Sequence, residues 1–158
     1  MGEHLPRIYA DTSVFGGAFD PEFEGPSRRF FDLVGLGRFR LVVSSAVEDE
    51  IEGSPLKVER LYRQILPAIE LVETPAEAFR LQEAYIEHAV VSPKRAADAL
   101  HVAAATVSGC SVIASWNLKH IVNYRRIPLY NAVNALNGYG SIAIITPLEV
   151  VGSEEEEV

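Results

Sequence analysis

The sequence predicts an α/β fold, a central parallel sheet covered on both faces by helices. Three observations carry that prediction. Short aliphatic and β-branched runs alternate with longer stretches of helical periodicity along the chain. The strand runs are continuously apolar rather than alternately apolar and polar, the pattern of strands buried on both faces. The 158 residues are 48% hydrophobic, and no Pro/Gly-rich or charge-rich stretch divides them. One globular unit over 1–150 is therefore expected, followed by a frayed acidic tail over 151–158.

The elements follow in order. Arg7-Ile-Tyr-Ala reads as a first strand that stops at Asp11-Thr-Ser. Gly16 and Gly17 open a loop through Pro21 and Pro26, and Ser27 is a candidate cap for a helix carrying Phe30, Phe31 and Val34. Gly35 and Gly37 end it, and 40–43 is the second strand. Ser44 or Ser45 caps a helix through Ile51, broken by Gly53-Ser-Pro55. A helix over 56–66 buries Val58, Leu61, Tyr62 and Ile65 on one face, and 69–72 is a third strand. Thr74-Pro75-Ala-Glu77 and Ser92-Pro93 are helix starts, the second leading to a helix that ends near Gly109. A strand over 111–115, a short helix over 118–122, a helix within 128–136 and a last strand over 142–145 complete the expectation, with Pro147 ending the strand.

Composition excludes several classes. The net charge is −8 and the pI near 5.0, which argues against a protein that wraps duplex nucleic acid non-specifically. It leaves room for an enzyme that meets phosphate briefly through a metal. The single cysteine, Cys110, permits neither an intrachain disulfide nor a thiolate zinc site, and reads as a small buried apolar residue. No segment reaches the length of a membrane span, and residues 1–7 are too short and polar for a signal peptide. A reducing, cytoplasmic setting is the expectation. There is no phosphate-cradling G-x-x-x-x-G-K-[ST], no G-x-G-x-x-G, no H-E-x-x-H and no G-x-S-x-G.

Sites in parallel sheets form beyond the carboxyl ends of strands. Asp11 directly follows the first strand, Glu50 lies on the helix after the second, Asp98 lies in the first turns of the Ser92-Pro93 helix, and Asn117 follows the fourth strand. Carboxylates gathered at one edge repel one another unless a divalent cation joins them, and hard oxygen ligands suit Mg²⁺ or Mn²⁺. Such an ion activates water and neutralises phosphate charge, the needs of phosphodiester hydrolysis. Each residue also has a plainer reading: an Asx turn for Asp11, a solvated helix face for Glu50, dipole stabilisation for Asp98, a helix cap for Asn117. Asp98 stands out, because Ala96, Ala97, Ala99, Leu100 and Val102 surround it with apolar neighbours.

Four segments carry a resemblance: Asp11-Thr-Ser-Val, Ser44-Ser-Ala-Val-Glu-Asp-Glu50-Ile, Ala97-Asp98-Ala-Leu-His-Val-Ala-Ala and Ala114-Ser-Trp-Asn117-Leu-Lys-His-Ile-Val-Asn. In order and spacing the chain resembles the PIN-domain family, and within it the VapC-type toxins. The resemblance implies an α/β/α sandwich, Mg²⁺ or Mn²⁺, and RNA cleavage leaving a 3′-hydroxyl. It also implies a small antitoxin partner and, in many members, homodimers. Asp11, Glu50 and Asp98 are then the metal ligands, with Glu48 the competitor to Glu50. Asn117 stands where many members carry a fourth acid, and a neutral amide holds a cation less strongly. Thr12, Ser13, Lys94, Lys119 and His120 are candidates for holding substrate, and Arg95 adds positive charge beside them. His101 reads as a core histidine, with metal ligation the alternative, and Trp116 as a buried ring beside its strand, with base stacking the alternative. Two rival functions remain, a catalytically weak binding module and a hydrolase of small phosphate esters.

Overall fold

The computed structural model describes residues 5–155. Five strands, β1 (Arg7–Ala10), β2 (Arg40–Ser44), β3 (Ile69–Val72), β4 (Val112–Ala114) and β5 (Ala143–Ile145), pair in the order β3-β2-β1-β4-β5. Every pairing is parallel. A parallel neighbour requires a crossover, and helices supply each one. They are α1 (Thr12–Gly17) and α2 (Glu24–Gly35), then α3 (Ser45–Glu52) and α4 (Leu56–Ile65), then α5 (Ala76–Glu87) and α6 (Ala96–Val107), and finally α7 (Ile127–Leu136). A last helix, α8 (Pro147–Glu155), follows β5. One group of helices joins α5 to α6 and α7, and another joins α2 to α1 and α8 and α1 to α4. The result is the three-layer α/β/α sandwich with a central parallel sheet.

The continuous apolar strand runs are explained by this sandwich. Tyr9 of β1 is level with Val42 of β2 and Ile113 of β4, and all three are fully buried. Phe15, Phe30, Phe31, Phe39 and Tyr62 form an aromatic cluster, with Phe15 5.0 Å from Phe31 and 5.3 Å from Tyr62 between ring centroids. Burying such a ring contributes about 1.5–3 kcal/mol, and each ring pair about 0.5–1.5 kcal/mol more. On α6 the small residues Ala99, Ala103, Ala104 and Ala105 are fully buried, which lets the helix approach its neighbours closely.

Four expectations change. Residues 12–17, expected in or beside a loop, form α1, because burying Val14 and Phe15 outweighs the weak helix propensity of Gly16 and Gly17. Ser27 is not a cap; it lies buried inside α2, which begins at Glu24. The segment expected as a helix over 118–122 is a turn. Pro147 does end the strand, but it also occupies the first position of α8, where its missing N–H costs nothing. Val151 is buried and 151–155 continue α8, with Glu155 paired to Arg29 of α2. Residues 156–158 lie outside the described residues. Among the described residues no helix is long and apolar enough to cross a membrane.

Strand order decides where a site can form. The chain winds from β1 outward to β3, then returns to the other side of β1 to make β4 and β5. The reversal leaves a crevice beyond the carboxyl ends of β1 and β4. Ala10 and Ala114 are partners in register, so Asp11 and Ser115 leave the sheet side by side at that crevice.

Candidate active site

Asp11 is buried, at 4% exposure, and flanks the start of α1 without capping it. Both of its oxygens are engaged. Ser13 Oγ donates to Oδ1 at 2.5 Å, and Ser115 Oγ donates to Oδ2 at 2.7 Å. Each serine is polarised in turn by a backbone N–H: Trp116 N donates to Ser13 Oγ at 2.9 Å and Asn117 N to Ser115 Oγ at 2.9 Å. A hydroxyl has one proton to give, so both serines are committed to Asp11. Ser13 therefore holds Asp11 in place. Burial raises the Asp11 pKa above the ordinary carboxylate range, against the lowering effects of His101 and the two hydroxyls. No fixed basic side chain pairs with this carboxylate among the described residues. Its donor environment is neutral oxygen, which suits a hard cation.

Glu50 comes to the same edge from α3. Its Oε1 accepts from Thr12 Oγ1 at 3.0 Å and from His101 Nε2. Thr12 thus also holds a carboxylate in place. Oε2 of Glu50 has no protein donor among the described residues. Glu48, the competing candidate, turns away and accepts from Tyr62 Oη at 2.9 Å. Helical spacing separates the two: positions two apart on a helix do not share a face.

His101 joins this arrangement through both ring nitrogens. It is buried as expected, at 3% exposure, yet it is not inert core. Nε2 donates to Glu50, and Nδ1 lies 2.9 Å from the Tyr9 hydroxyl, which is 2.8 Å from Ser44 Oγ. Burial pushes the His101 pKa down, but Glu50, Asp11 and Asp98 together raise it. Glu50 is held low in return, because His101 and Thr12 outweigh its desolvation. The signal was present in the sequence: His101 follows Asp98 by three residues, one turn along the same face of α6.

Asp98 lies in the first turn of α6, half-buried, without a hydrogen bond or ion pair from any described residue. Its charge bears on His101, His120 and Tyr130. Asp11, Glu50 and Asp98 all bear on His101 electrostatically, although no three acidic, histidine or cysteine side chains converge on one point among the described residues. Taken one by one, the carboxylates have the donor chemistry that a hard cation accepts: one is buried with only hydroxyl donors, a second has a free oxygen and a third is unpartnered.

Asn117 behaves as a cap. Its Oδ1 accepts from His120 N at 3.0 Å, closing the turn that follows β4. Trp116 is half-buried, stacked on Phe23 with centroids 4.2 Å apart, and donates from Nε1 to Ser27 Oγ at 2.8 Å. His120 is half-buried, while Lys94 and Lys119 are exposed. Burial and the charges of Arg95, Arg126 and Lys119 hold the His120 pKa below its ordinary value, against the pull of Asp98.

A family model described as PIN domain matches residues 8–119, a span that begins in β1 and contains Asp11, Glu50, Asp98 and Asn117. No curated protein matches the chain.

Proposed function

The chain belongs to the PIN domain family, a nuclease-type fold, and from that premise we propose that it is a metal-dependent endoribonuclease, the toxin of a type II toxin–antitoxin pair. One observation carries the reading most. Asp11 is a buried carboxylate at the switch point of the sheet, satisfied only by hydroxyls and flanked by Glu50, with Asp98 unpartnered on the neighbouring helix. A buried charge of that kind is costly unless a counter-ion joins it.

Asp11, Asp98 and Glu50 would hold Mg²⁺ or Mn²⁺, which supplies an acidified water and neutralises charge on the phosphate. The chain's own groups do the rest. Ser13 and Ser115 orient Asp11, each held by a backbone N–H of the turn after β4. His101 and Thr12 hold Glu50 ionised through Oε1, leaving Oε2 to accept a proton from the attacking water. Lys94, Lys119 and His120 face the phosphates of the substrate. The neutralising partner is a small antitoxin that lays a helix in a groove and reaches the carboxylates with a basic side chain.

Mixed RNA incubated with the purified chain tests this. Cleavage in Mn²⁺, none in EDTA, 3′-hydroxyl products and an untouched small phosphate ester are expected, with Asp11→Asn and Asp98→Asn both silent. No cleavage in Mn²⁺ overturns the reading, and so does full activity in either variant. Hydrolysis of the ester alone assigns a phosphatase instead. Growth arrest on expression, relieved by one co-expressed small protein, tests the toxin assignment separately.

A further inference from the structure

Negative charge is segregated along this chain. Residues 88–148 carry five Lys or Arg and one carboxylate, Asp98, whereas the remaining residues carry nine and twenty-one. The five are Lys94, Arg95, Lys119, Arg125 and Arg126. None is in an ion pair with a described residue, while Arg7, Arg28, Arg29, Arg40 and Arg63 all are. Arg95, Lys119, Arg126 and Asp98 all bear electrostatically on the His120 ring, so these basic groups lie near Asp98.

The turn that presents these residues is firmly built. Arg126 donates from Nη1 to Val90 O at 2.7 Å and from Nε to Lys119 O at 3.1 Å. Tyr130 Oη donates to His120 O at 2.8 Å, and Arg125 N donates to Asn123 Oδ1 at 3.0 Å. At its crest stands Tyr124, 76% exposed. Arg125 Nε donates to the Tyr124 hydroxyl at 3.0 Å, and its guanidinium lies 5.6 Å from the ring centroid. This pair lies beyond residue 119, where the family match ends.

An exposed aromatic ring beside a guanidinium free of ion pairs suits a nucleotide: the ring takes a base by stacking, and the cation takes phosphate. We propose that Tyr124 and Arg125 form a subsite for one unpaired nucleotide of the substrate strand, with the base on Tyr124 and its phosphate on Arg125 and Lys119. A base locked in a duplex has no free face, so the subsite selects single strands. The inference rests on the ribonuclease reading of the neighbouring carboxylates. Charge favours RNA over a protein here, because residues 88–148 carry five cationic side chains against one carboxylate in a chain of net charge −8.

Fluorescence anisotropy with a labelled single-stranded RNA oligonucleotide in EDTA reads the subsite without cleavage. Tyr124→Ala should weaken binding roughly ten- to a hundredfold, the loss expected for about one stacked base. Tyr124→Phe should bind as wild type does. Arg125→Gln should weaken binding and reduce the salt slope by about 0.7, one phosphate contact on a single strand. A duplex of the same sequence should not respond to Tyr124→Ala. Wild-type affinity in Tyr124→Ala overturns the proposal, as does a Tyr124-dependent affinity for an acidic peptide with none for RNA. Cleavage in Mn²⁺, run in parallel, separates the two readings. Wild-type cleavage with a Tyr124-independent affinity removes the subsite alone. Tyr124-dependent binding by a chain that cuts no RNA removes the ribonuclease and leaves the subsite.

Discussion

His101 Nε2 on α6 donates a hydrogen bond to Glu50 on α3, while its Nδ1 lies 2.9 Å from the Tyr9 hydroxyl of β1. Three elements of the sandwich are thus joined through one buried imidazole. Groups that orient a catalytic carboxylate matter nearly as much as the carboxylate itself, because a misaimed ligand is a lost one.

Removing that ring should therefore cost activity. His101→Ala is expected to slow RNA cleavage about ten- to a hundredfold, and to lower stability by leaving the Tyr9 and Ser44 hydroxyls short of a partner. His101→Gln, which keeps a donor near Glu50, should recover part of the rate. Initial rates in Mn²⁺ with melts in parallel read both. A wild-type rate in His101→Ala would remove the ring from the site.

Asp11 should be a destabilising charge when no metal is present. Its raised pKa means that the ionised form is held less well in the folded chain than in the unfolded one. Asp11→Asn keeps the shape and removes the charge, so it should melt higher than wild type in EDTA near pH 7. Each kcal/mol gained should appear as about 2–4 °C. Mn²⁺ should then raise the wild-type melting temperature and leave the variant's unchanged. A variant that melts lower in EDTA would show that the Ser13 and Ser115 bonds outweigh desolvation.

Asn117 should matter to stability rather than to metal. Asn117→Ala removes the bond to His120 N and should cost about 0.5–2 kcal/mol. Asn117→Asp keeps an acceptor there and should melt near wild type. Neither should shift the Mn²⁺ concentration at half-maximal rate. A shifted Mn²⁺ curve in either would return the side chain to the metal site.

Two adjacent glycines should respond differently to the same change. A Cβ on Gly17 would lie 2.6 Å from Ser27 Oγ and 2.7 Å from Trp116, too close for either to stay in place. Gly17→Ala should cost about 1–3 kcal/mol by overpacking. It should also shift the emission of Trp116, the sole tryptophan. A Cβ on Gly16 meets nothing within 4 Å, so Gly16→Ala should be neutral or slightly stabilising through helix propensity. Equal melting temperatures and spectra for the pair would show that Trp116 can move freely.

The sequence by itself determined the α/β class, the five strands and the placing of Asp11 at a strand end, because burial on two faces leaves a local signature in runs such as Tyr9, Val42 and Ile113. Asp98 was equally legible, as a lone carboxylate among apolar neighbours. Gly-rich α1 was not, since Phe15 earns its helix only from distant Phe31 and Tyr62. Tertiary structure alone decided which carboxylate of α3 faces Asp11, that Ser13 and Thr12 serve carboxylates, and that His101 holds Glu50. It also gave Asn117 its role as a cap. Those outcomes depend on side chains 38 to 104 positions apart meeting at hydrogen-bonding distance. Strand order and register set such meetings, and no periodicity within a single segment records them.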